Sequence, residues 1–67
     1  MKADKKKVDL AMARACVDVR GVSELANMPP NTIQRMLRGN SVRPATIGKV
    51  ARALGVDPAE IVKEDEQ

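Results

Sequence analysis

The sequence has no tryptophan, tyrosine, phenylalanine or histidine, and its one cysteine is Cys16. Without aromatics the apolar share rests mainly on Ala, Val, Met and Leu, which suits close helix-on-helix contact better than a sandwich of sheets. A single cysteine excludes an intrachain disulfide, and without His there is no Cys/His zinc set. No metal or cofactor is therefore expected, and the cysteine usage fits a reducing cytoplasm. Long apolar runs are missing too, and no secretory hydrophobic region follows the lysine-rich start, so neither membrane insertion nor export is expected. Also missing are a nucleophile–base set and a phosphate loop, so the chain is not expected to be an enzyme.

What is present is one small domain of 67 residues. A chain of this size buries only about 60% of its unfolded surface and has room for a single core. Charge is distributed unevenly. Through Val56, eleven Lys and Arg stand against four Asp and Glu, giving +7, while residues 57–67 hold Lys63 against five acids, giving −4. A basic body with an acidic tail (63–67) points to a polyanion bound by the body.

Residues 1–7 form a basic N-terminal arm that is expected to fray, either trailing along a phosphate backbone or serving as a solvated start. Val8, Ala11, Met12 and Ala15 recur at i, i+3, i+4 and i+7 and predict a first helix. Leu10 and Ala13 fall off that face, as ordinary exposed residues or as part of a partner contact. Cys16 follows as an inert small apolar residue, with no His or second Cys to activate it. Asp18 is a good N-cap for a second helix beginning at Val19, with Val19, Val22 and Ala26 turned inward and Ser23 small enough for close approach. Asn27 tolerates the left-handed backbone of a helix end, and Met28 turns back to the core. Pro29-Pro30 breaks the chain, and Pro30 suits the first position of a third helix over residues 30–38. That helix keeps Ile33, Met36 and Leu37 for one face and Asn31, Thr32, Gln34, Arg35 and Arg38 for the other. Gly39 is placed as its left-handed cap. Ile47, Val50, Ala51 and Leu54 predict a fourth helix stopped by Gly55, and Asp57-Pro58-Ala59-Glu60 signals a capped fifth one carrying Ile61 and Val62. The methionines at 12, 28 and 36 are core filler, and Asp57 with Glu60 is a cap, not a catalytic pair. The fold class is all-α, a compact bundle of five short helices.

The register Val22, Ser23, Ala26, Asn27, Met28, Ile33 and Met36, then Gly39, Arg43-Pro44 and the closing run Ala51 to Asp57, resembles the phage-repressor or Cro-like (Xre-type) helix-turn-helix family. The similarity runs without gaps over residues 8–62. It implies a lambda-repressor-like domain whose second helix lies across the DNA backbone while the third enters the major groove, where an α-helix fits and its N-terminal residues reach base edges. On the matching positions Asn31, Thr32 and Arg35 are the candidates for base readout, with Gln34 next, while Arg20, Arg38, Asn40 and Arg43 are the candidates for phosphate contact. The chain departs from the family pattern at Val19, where a phosphate-donating Gln is common, and at Ser23 and Asn27, where Ala and Gly are usual. It departs again at Pro29, which has no side-chain acceptor where Ser or Thr usually caps. Two roles are therefore open to Asn31: capping helix three or reading a base.

Together these features imply a sequence-specific binder of double-stranded DNA, a repressor-like transcriptional regulator acting in the cytoplasm on the nucleoid. Two copies on a palindromic operator are its expected working form. Two rivals stand beside this reading: a protein-interaction module such as an antitoxin or adaptor, using Leu10, Leu25 and the acidic end, and an accessory DNA-bending factor.

Overall fold

Short helices hold together here because each puts a stripe of small apolar residues into one shared cluster. The computed structural model describes residues 1–63. It contains α1 (Lys5–Ala15), α2 (Val19–Ala26), α3 (Pro30–Leu37) and α4 (Pro44–Leu54), followed by one 3-10 turn, Pro58–Glu60. The described residues form no strand; Ala3 and Val62 make an isolated antiparallel bridge. Ile33, Met36, Ile47, Ile61, Val8, Val22 and Val50 are the largest fully buried side chains. Helix α2 packs on both α3 and α4, α1 packs on α4, and the final turn closes against α4.

The expected inward stripes of all four helices are buried, apart from Ala15, Val19 and Leu37, which are half-buried against the cluster. Ser23 is buried as a small residue at the α2 contact, and its hydroxyl also donates to the Met28 carbonyl, tying α2 to the turn that follows. Gly21 permits a close approach of another kind. A Cβ there would sit 2.9 Å from the Val17 Cβ, closer than the chain tolerates without shifting.

Every helix stops in the same way. Cys16, Asn27, Gly39 and Gly55 have positive φ, and the next amide reaches back five residues: Val17 to Met12, Met28 to Ser23, Asn40 to Arg35 and Val56 to Ala51, at 3.0 to 3.2 Å. This is the Schellman arrangement, which satisfies carbonyls a helix end would otherwise leave open. After α1, α2 and α4 the residue making that bond is apolar and packs against the core: Val17, Met28 and Val56. After α3 it is Asn40, which is exposed.

Three expectations are corrected. The start of the chain is not frayed. Ala3 is 5% exposed, the Asp4 amide donates to the Ile61 carbonyl at 2.8 Å, and the Asp4 side chain accepts from the Lys7 amide to begin α1. The cap and the small apolar residue were hidden within a lysine-rich run. The fifth helix is a single 3-10 turn, although its capping box is present as expected. It cannot lengthen, because Val62 is paired with Ala3 and the Ile61 carbonyl is taken by Asp4. A third departure is smaller: Cys16, read as an inert small apolar residue at the end of the first helix, is exposed and takes the left-handed backbone there, at φ 59°.

A non-glycine residue in the left-handed region costs roughly 1 to 2 kcal/mol. Cys16→Gly is expected to raise stability by about 1 kcal/mol, or roughly 4 to 8 °C in Tm for a domain of this size. A thermal melt followed by circular dichroism checks it, and an unchanged or lower Tm counts against the assignment of strain to this cap.

Candidate nucleic-acid interface

Helix α3 is amphipathic by its own spacing. Ile33 and Met36 are fully buried, which turns Asn31, Gln34, Arg35 and Arg38 outward together, since residues three and four apart share a face. All four are exposed, and Thr32 is half-buried beside them. Neither Pro29 nor any other side chain caps α3. Asn31 therefore stays exposed at the second helical position, and of its two expected roles the capping one does not hold.

Across a short loop lies the start of α4. An open groove of about 620 Å³ runs between the two helices and is lined by Thr32, Arg35, Ser41, Val42, Arg43 and Thr46. The groove gathers Thr32 and Arg35 of the base-reading candidates with Arg43 of the phosphate candidates. Asn31, Gln34, Arg20, Arg38 and Asn40 are exposed but do not line it. Ser41 and Thr46 were not foreseen. The signal for Thr46 was Arg43-Pro44, which fixes the first turn of α4 and so sets the Thr46 hydroxyl one turn from Arg43.

The stretch of chain that carries this groove has a charge pattern unlike the rest of the sequence. From Leu25 to Val56 there is no acid, while Arg35, Arg38, Arg43, Lys49 and Arg52 all fall in that stretch. Among the described residues Arg20, Arg35, Arg38 and Arg43 form no ion pair, whereas Arg14 meets Glu60 at 3.5 Å and Lys5 meets Asp9 at 2.8 Å. The carboxylate caps are elsewhere. Asp4 caps α1, Asp18 caps α2, and Asp57 with Glu60 caps the final turn. Helices α3 and α4 start with Pro29-Pro30 and Arg43-Pro44, with no side-chain cap and no acid in the first turn. Their positive N-terminal ends are left uncompensated, the condition that favours an approaching anion.

A family model described as helix-turn-helix matches residues 18–61, which span α2, the turn, α3, α4 and the final 3-10 turn. The chain belongs to the helix-turn-helix family. In such motifs the second helix is the one that enters the DNA major groove, and here that helix is α3. A search of curated proteins finds no match. Among solved structures the chain is similar to PhpD with cadmium atoms, with 24% identity, a TM-score of 0.82, and coverage of 100% of this chain and 15% of that one. A hydroxyethylphosphonate dioxygenase variant gives 24% identity, a TM-score of 0.83 and the same coverage. A 2-hydroxyethylphosphonate dioxygenase gives 21% identity and a TM-score of 0.81, over 96% of this chain and 15% of that one. At this identity the likeness shows the fold, and the chain spans 15% of the length of the structures it matches.

The uncompensated start of α3 generates a test with opposite signs in two assays. Asn31→Asp is expected to stabilise the domain by about 0.3 to 1 kcal/mol through the helix dipole. With α3 against a duplex, as the base-reading candidacy of Asn31 requires, the same carboxylate would add a negative charge facing a polyanion, so duplex binding should weaken by about tenfold or more. Chemical denaturation and a binding titration on one preparation decide it; a variant that binds DNA as well as the parent removes Asn31 from the interface.

Proposed function

We propose that this domain binds double-stranded DNA by laying α3 in the major groove, and that it serves as a repressor-like transcriptional regulator. The observation that carries the reading is the coincidence of three features in one stretch of the chain: the exposed polar face of α3, the absence of acids from Leu25 to Val56, and the uncapped starts of α3 and α4. A duplex presents closely spaced phosphates around a groove wide enough for one helix. In this reading Arg35 reads guanine with two hydrogen bonds, Asn31 and Gln34 read adenine, and Thr32 supports base contact from the groove wall. Arg20, Arg38, Asn40 and Arg43 take phosphates and fix the register.

One recognition helix covers few base pairs, so the working form is two copies on a palindrome, their half-sites roughly 34 Å apart. No helix among the described residues is long and apolar enough to cross a membrane, and a regulator of this kind acts in the cytoplasm, at the nucleoid. The reading gives the domain no catalytic step.

Binding to random duplex over a salt series tests the reading first, because phosphate contacts make affinity fall steeply as salt rises. Absence of binding at low salt would leave the protein-interaction rival in its place. Selection of bound sequences from a random pool then gives the site, its symmetry and its spacing. On the selected site Arg35→Ala is expected to cost about 1 to 3 kcal/mol and to relax preference at one position. Arg43→Ala should weaken selected and random DNA alike and lower the salt slope by about one. An Arg35→Ala variant with unchanged sequence preference overturns its base-reading role.

A further inference from the structure

The segment ahead of α1 is held at both ends, and at Met1 it is bonded to the loop that leads into α4. On the body side, Ala3 is buried and paired with Val62, the Asp4 amide donates to the Ile61 carbonyl at 2.8 Å, and the Lys63 amide donates to the Lys2 carbonyl at 3.0 Å. On the other side, the Met1 carbonyl accepts from the Val42 amide at 2.7 Å, and the Met1 ammonium donates to Ser41 Oγ at 3.0 Å. Ser41, Val42 and Arg43 are the loop side of the groove. Among the described residues, the bond from Val42 to Met1 is the one backbone hydrogen bond that residues 41 and 42 donate. The helices on either side supply none, since the α3 cap ends with Asn40 and the first turn of α4 takes up the Arg43 carbonyl.

We infer that residues 1–4 form a strap that positions the Ser41–Arg43 loop for contact with the DNA backbone, an inference that rests on the DNA-binding reading above. A loop ordered before binding loses less conformational freedom on the duplex, and its apparent affinity is not reduced by time spent in other conformations. Through main-chain atoms Met1 and Lys2 position Arg43, which neighbours Val42 and takes the phosphate contact in that reading.

The experiment compares the full chain with a chain that starts at Ala3 and keeps the Asp4 cap, using Lys2→Gln to measure the share due to the lysine charge. Amide exchange at Val42 is read in the free protein, and affinity for random duplex is read at low salt. The truncated chain is expected to exchange Val42 about tenfold faster and to bind about fivefold to tenfold more weakly than Lys2→Gln. Placed in an Arg43→Ala background, the same truncation is expected to change affinity by less than about twofold, because the strap acts through that residue. Binding no weaker than that of Lys2→Gln, or effects of truncation and Arg43→Ala that multiply in full, overturns the strap and leaves the DNA-binding reading standing. A full chain that does not bind DNA removes both. If the truncated chain does not fold, Ser41→Ala in the full chain takes away the acceptor of the ammonium. Faster exchange at Val42, with an affinity loss that shrinks in the Arg43→Ala background, then supports the strap, and unchanged exchange overturns it.

Discussion

Helix α3 has eight residues, fewer than a helix needs to persist alone in water. It begins with two prolines and has no side-chain cap. Its turns exist because Ile33 and Met36, both at 0% exposure, enter the cluster shared with Val22, Ile47 and Val50. Burying each such side chain is worth about 1.5 to 3 kcal/mol, more than the missing cap costs at about 0.5 to 2 kcal/mol. The same anchoring fixes which way Asn31, Gln34, Arg35 and Arg38 face, so the orientation of that polar face depends on two residues that are themselves fully buried.

With no aromatic side chain to span a gap, the core closes only if the helices approach closely, and that requires tight turns. Four positive-φ residues meet the requirement, two of them glycines. Where the residue after the cap is Val17, Met28 or Val56, it adds its own burial to the turn. Where it is Asn40, the turn after α3 gives up that burial and presents an amide side chain on the side of the groove helix. The cap is thus adapted locally to the face it borders.

The sequence was most legible where one residue type dictates one conformation. Pro30 and Pro44 mark helix starts, Asn27, Gly39 and Gly55 mark ends, and the i, i+3, i+4 apolar spacing marks the buried stripes; all of these stand where the sequence places them. Less legible was anything carried by main-chain atoms over long separation. The pairings of Met1 with Val42 and of Asp4 with Ile61 involve carbonyls and amides that every residue possesses, so a lysine-rich start read as a loose arm. The left-handed backbone of Cys16 was not legible for a related reason, since a cysteine side chain gives no sign that its backbone forms a helix end. Of the candidate site, the outward face of α3 could be read from spacing, and Arg43 from what the family resemblance implies. Thr46 had only the indirect signal of Arg43-Pro44, and Ser41 had none, since the groove they complete arises from how α3 and α4 pack.

The distribution of caps carries the argument from fold to function one step further. A helix start can be satisfied by a carboxylate within the protein, as at Asp4, Asp18 and Asp57, or it can be left for solvent and ligand. A capping residue is worth about 1 kcal/mol, so a small domain with one aromatic-free core gives up a substantial share of its margin by omitting two. The omissions fall on α3 and α4, the two helices whose starts flank the groove, and the acid-free stretch from Leu25 to Val56 covers both. Stability alone would favour an Asp or Ser at positions 29 and 43. Leaving them as Pro29 and Arg43 keeps two positive helix ends, and with them Arg35, Arg38 and Arg43, which form no ion pair among the described residues, clear of carboxylate caps, so in the proposed DNA-binding reading a phosphate would displace no capping group.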